Sequence, residues 1–140
     1  MAHEELYAYR NDVLSALDTL EARKRKLEQD LQELEDFRHQ VLVDQSWAEG
    51  DLYELRHAVE VIGAIPNVKS ARQYSEHVGP QITELSTALV LPGFDLIRSK
   101  VMRAIGEVED ELAQLAQRER TFAQELAAVN GAISSTETSD

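Results

Sequence analysis

Residues 6–41 read LYAYRNDVLSALDTLEARKRKLEQDLQELEDFRHQV, and the spacing of their apolar side chains decides the fold. Leu6, Val13, Leu17, Leu20, Leu27, Leu31, Leu34 and Val41 fall on a strict four-three alternation whose three remaining positions are Arg10, Lys24 and Arg38. A repeat sustained over this length is the seam of a coiled-coil helix, because side chains spaced by alternating threes and fours line one stripe of the helix surface. No glycine or proline interrupts it, and Glu, Leu, Gln, Lys and Arg are all good helix formers. The predicted helix runs from about residue 4 to 44, and its seam from Leu6 to Val41 is roughly 50 Å long.

A second stretch repeats the pattern. Val101, Ile105, Val108, Leu112, Leu115, Phe122, Leu126, Val129 and Ile133 share one seam with Glu119, which predicts a long helix over about 94–133. Glu119 is the acid of this seam and Lys24 the central base of the other, so the two are a candidate polar pair that selects a register. In an antiparallel pairing Leu31 meets Leu112 and Leu17 meets Leu126. A parallel pairing still opposes Lys24 to Glu119, and the sequence leaves both open.

All three prolines and four of the six glycines lie within residues 50–93. Leu52, Leu55, Val59 and Ile62 predict a short helix ended by Gly63 and Pro66. Val68, Ala71, Ser75 and Val78 predict another, ended by Gly79-Pro80, and Pro80 suits the first turn of a third that stops at Pro92-Gly93. Asp95 is then a candidate cap for the last long helix. The fold class is all-α: two long coiled-coil-type helices packed as an elongated hairpin, with short helices within 50–91. The alternative is an up-down-up three-helix bundle. Residues 1–134 form one domain in this reading, and Ser134 onward suggests a frayed tail over 135–140.

Composition narrows the function. The chain has 140 residues, no cysteine and a formal charge of −12, so it offers no disulfide, thiolate metal site or cysteine nucleophile. Acids outnumber bases in each third of the chain, which argues against phosphate-backbone binding. The one dense basic run, Arg23-Lys24-Arg25-Lys26, has acids at helical i,i+4 spacing and reads as a solvated face. No apolar stretch is long enough to span a membrane, and the acidic start is unlike a signal peptide. Glu54-Leu-Arg-His57 has the spacing of a di-iron ligand pair, but the further pair and glutamates such a centre needs are missing from the pattern. The expectation is a non-enzymatic protein without catalytic, cofactor or metal residues.

The single tryptophan lies in Asp44-Gln45-Ser46-Trp47-Ala48-Glu49-Gly50, where the first long helix is expected to stop and turn. A long charged helix with Leu-Glu repeats, followed by Ser-Trp-x-x-Gly and more helix, resembles the WXG superfamily of small type VII secretion proteins. Within it the chain looks most like the longer LXG-toxin-associated helical proteins. Trp47 and Gly50 are the positions that carry the resemblance, with one more residue between them than the family's Trp-x-Gly. No Tyr-x-x-x-Asp/Glu export signal follows. The resemblance implies a chaperone or targeting partner for the helical N-terminal domain of a toxin, cytoplasmic or exported with that partner by a route independent of a signal peptide. From the residues alone, the alternative is a coiled-coil scaffold that pairs with itself.

Overall fold

The computed structural model describes residues 3–138. Helix α1 spans His3–Gly63, α2 spans Lys69–Glu84, a π-helical segment covers Leu85–Val90, and α3 spans Leu91–Thr138. The architecture is all-α and hairpin-like, with no strand among the described residues. The described residues divide into two compact units, 3–33 with 105–138 and 34–104.

In the first unit, the beginning of α1 packs antiparallel on the end of α3. Tyr7 Oη donates to Glu137 Oε1 at 2.7 Å, Tyr9 Oη to Glu125 Oε2 at 3.1 Å, and Arg23 to Glu111 Oε1 at 2.8 Å, so positions rising along α1 meet positions falling along α3. The predicted seams face each other. Leu20, Leu27 and Leu115 form one buried cluster with Val108, Leu112 and Phe122 packed against it, and Leu6, Val129 and Ile133 form another with Tyr7. Of the two pairings left open by the sequence, the structure adopts the antiparallel one. Leu27 is 2% exposed, and a leucine so placed contributes about 2 kcal/mol through removal of its apolar surface from water.

The second unit corrects the expected middle. The first helix does not stop near residue 44. It continues through Trp47 and Gly50 to Gly63, because the four-three spacing persists in Val41, Gln45, Ala48 and Leu52, none of them exposed. One turn replaces the expected series of breaks. Ala64 and Ile65 close the end of α1 through backbone bonds to Glu60, Val61 and Ile62, and Asn67 adopts φ 62°, a left-handed conformation asparagine tolerates better than most residues. From Lys69 to Thr138 the chain stays helical, so the expected short helices and the Asp95 cap are replaced by a continuous return arm. The last described residues also correct the expected tail: helix extends to Thr138, whose Oγ1 donates to the Ser134 carbonyl at 3.0 Å. Residues 139 and 140 lie outside the described residues.

Pro80 lies inside α2 and Pro92 in the first turn of α3. Pro92 has no N–H to return to the preceding turn, and its ring would crowd a carbonyl in a regular helix. The π-helical segment immediately before it relieves that conflict: Leu91 N–H bonds to the Ser86 carbonyl, a wider closure than the α-helical one. The insertion also rotates the helix surface. With unbroken four-three spacing, Ile82 would be followed on the seam by Leu85 and Leu89. In the structure Ile82 is followed by Ser86, which is 9% exposed, while Leu85 and Leu89 turn outward.

Candidate partner-binding face

Seam and flank exchange roles between the two units. In residues 34–104 the seam positions of α1 include Arg38, Gln45, Ala48 and Arg56, and those of the return arm include Ala71, Ser75, Ser86 and Arg98. Small residues let these backbones approach closely: a Cβ added to Gly63 would lie 2.7 Å from Ser75 Cβ and would also strike Ser75 Oγ. Arg98 donates to Gln45 Oε1 across the seam. Such a seam buries little apolar surface. Val41, Val59, Ile82 and Val101 are its buried hydrophobic residues.

The larger apolar side chains stand beside the seam and face solvent. Among the described residues sixteen large hydrophobic residues are exposed, fourteen of them in residues 34–104 and two, Tyr9 and Leu14, in the other unit. Phe37, Leu55, Leu85, Leu89 and Ile97 each immediately precede a non-exposed seam residue, namely Arg38, Arg56, Ser86, Val90 and Arg98. In an antiparallel helix pair such positions on the two helices flank the same side of the seam. The five therefore form one apolar side, with Leu89 at its most exposed point, 67% accessible. A shallow groove lined by Gln81, Glu84, Leu85, Ala88 and Leu89 runs along it. Trp47, 71% exposed, lies further round the same side of α1, beside a second groove lined by Ser46, Gly50, Asp51 and Glu54.

One sequence expectation changes and another is met. Trp47 and Gly50 are not a turn: both sit in the interior of α1, a Cβ at Gly50 would meet nothing within 4 Å, and no glycine has positive φ. Trp47 is thus not an anchor for a bend, and its indole is presented to solvent. Lys24 and Glu119 do come together in the first unit, with Lys24 Nζ 3.8 Å from Glu119 Oε2. The other carboxylate oxygen, Glu119 Oε1, is buried without a hydrogen-bond partner.

The two grooves and three others on α1 and α3 are each lined by neighbours along a single helical stretch and open to solvent. Among the described residues no three His, Asp or Glu side chains converge as metal ligands, and His57, of the Glu54–His57 spacing, stacks on Tyr53 with ring centroids 6.4 Å apart. No described helix is long and apolar enough to cross a membrane. What sequence reading missed is the flank: Phe37 and Ile97 fall outside the heptad seam, while Leu55, expected on an apolar helix face with Leu52, Val59 and Ile62, gives up its seam place to Arg56.

No protein-family model, curated protein or solved structure matches the chain.

Proposed function

We propose that this chain is a non-enzymatic interaction module that takes a helix from another protein against the exposed apolar side of residues 34–104. The observation that carries the reading is the placement of Phe37, Leu55, Leu85, Leu89 and Ile97 on one side of that unit, which its two helices leave uncovered. Contiguous exposed apolar surface of this kind marks interaction sites, and a docked helix supplies what the pair lacks to complete a three-helix core.

The narrower form of the proposal is a chaperone or targeting partner for the helical N-terminal domain of a type VII secretion toxin. Its support is the resemblance of the long Leu-Glu-rich helix and paired-helix form to WXG-type proteins. Trp47 and Gly50 lie within a helix and not at a turn, so they add nothing to that support.

Co-expression with the product of a neighbouring gene that has a helical N-terminus and a toxin-like C-terminus tests this. The expected result is a stable complex that Leu89→Glu disrupts. A stable homo-oligomer that ignores every such partner would overturn it in favour of a self-pairing scaffold.

A further inference from the structure

We infer that the occupant of the Phe37–Leu55–Leu85–Leu89–Ile97 side is a basic amphipathic helix of a different protein, bound through its apolar face with Lys and Arg side chains along its edges. The inference rests on the function proposed above and adds the chemistry of the partner.

The charge around the groove carries it. Residues 39–68 hold five acids, Asp44, Glu49, Asp51, Glu54 and Glu60, against a single base. That base is Arg56, whose seam position directs it between the helices, and its Nε is buried. Asp44 and Asp51 each precede a seam residue, Gln45 and Leu52, so they stand on the same side as Phe37 and Leu55. On the return arm Glu84 lines the groove with Leu85 and Leu89, while Lys100, which precedes the seam residue Val101, places a base on the same side. An apolar strip edged by carboxylates matches a helix with an apolar stripe edged by cations. Opposite charge there speeds encounter and sets partner choice, while the apolar contact supplies the affinity.

The same charges disfavour a second copy of this chain. Each copy carries a formal charge of −12, and its one dense basic run is already engaged internally. Arg23 pairs with Glu111 at 2.8 Å, Lys24 with Glu119 at 3.8 Å, Arg25 with Glu21 at 3.8 Å and Lys26 with Asp30 at 2.7 Å.

Trp47 provides the assay, because it is the only tryptophan and is exposed beside the groove. The full-length protein is titrated with two synthetic tryptophan-free amphipathic helices of equal length, one built of leucine and lysine and the other of leucine and glutamate. The expected result is a saturable change in tryptophan emission with the lysine peptide only. Affinity should fall roughly tenfold or more in Leu89→Glu, and by a similar factor when salt is raised from about 0.1 M to 1 M, where charge screening shortens to a few ångströms. Asp44→Lys with Asp51→Lys should shift preference toward the glutamate peptide, while Leu14→Glu on the other unit should change nothing. Helicity and melting of every variant, followed by circular dichroism, establish that these surface changes leave the fold intact.

Equal binding of both peptides, each lost in Leu89→Glu, would overturn the charge inference and leave the helix-receiving function standing. Binding of neither peptide would overturn both. Lysine-peptide binding unaffected by Leu89→Glu would show adhesion to acidic surface elsewhere and overturn the site. A homodimer in light scattering that Leu89→Glu dissociates would make a second copy the occupant.

Discussion

Lys24 Nζ lies 3.8 Å from Glu119 Oε2 across the first unit, and this one polar contact interrupts two otherwise apolar seams between Val13 and Val129. A half-exposed ion pair adds little stability, about 1 kcal/mol or less, and here Glu119 Oε1 is buried without a hydrogen bond. Lys24→Leu alone should therefore destabilise by about 1 kcal/mol or more, since it strips the carboxylate of its counter-charge. Lys24→Leu with Glu119→Leu should match or exceed the parent in thermal melting. Light scattering should then reveal additional oligomers, because a fully apolar seam no longer penalises other registers.

Gly63 faces Ser75 at the closest approach of the second unit. Gly63→Ala places a methyl group 2.7 Å from Ser75 Cβ, a distance that forces the helices apart, and should cost about 1–3 kcal/mol in chemical denaturation. Combining it with Ser75→Gly should give a smaller loss than the two single losses together, with a coupling of about 0.5–3 kcal/mol.

Gly50 and Trp47 distinguish a helix interior from a turn. In a helix with open space around it, Gly50→Ala should stabilise by about 1 kcal/mol. At a turn it would destabilise. Trp47→Ala should leave stability within about 0.5 kcal/mol, as for a surface position, yet weaken partner binding.

Tyr7 and Tyr9 make the first unit sensitive to alkali. Each phenol donates to a carboxylate, Glu137 and Glu125, and this bond raises its pKa above the ordinary value of 10.0, aided by loss of solvent and by the carboxylate's charge. A raised folded-state pKa means that the contribution is complete below the unfolded value and is lost as pH rises through the folded one. Melting temperature should therefore fall above pH 10.0, and Tyr7→Phe with Tyr9→Phe should flatten that decline while lowering the neutral-pH value slightly.

The two apolar seams were legible because leucine and valine at four-three spacing report helix and buried stripe together. The passage of α1 through residues 44–50 was not, because its seam residues there are Gln45 and Ala48, which carry no apolar signal, while Trp47 and Gly50 suggest a turn. Pro80 and Pro92 misled for a different reason. Proline removes one hydrogen bond and crowds one carbonyl, and at Pro92 the helix meets that demand by widening without ending. The same widening hid the site: it moved Leu85 and Leu89 off the seam on which their spacing from Ile82 placed them. Lys24 and Glu119 were identifiable as opposites, but their orientation needed the contacts on either side.

The pairing of Tyr7 with Glu137 joins positions 130 apart in the chain. The buried clusters of the first unit thus join residues remote in the chain, and forming them means closing a long loop, an entropic barrier of about 4 kcal/mol for a loop of roughly a hundred residues. Folding should be slow for a helical protein, with its late step at the joined termini and not at the Asn67 turn. A neighbouring chain can supply the same surface without closing that loop. Crowded refolding should accordingly yield exchanged dimers, in which the last helix of one copy completes the first helix of the other and only unfolding separates them.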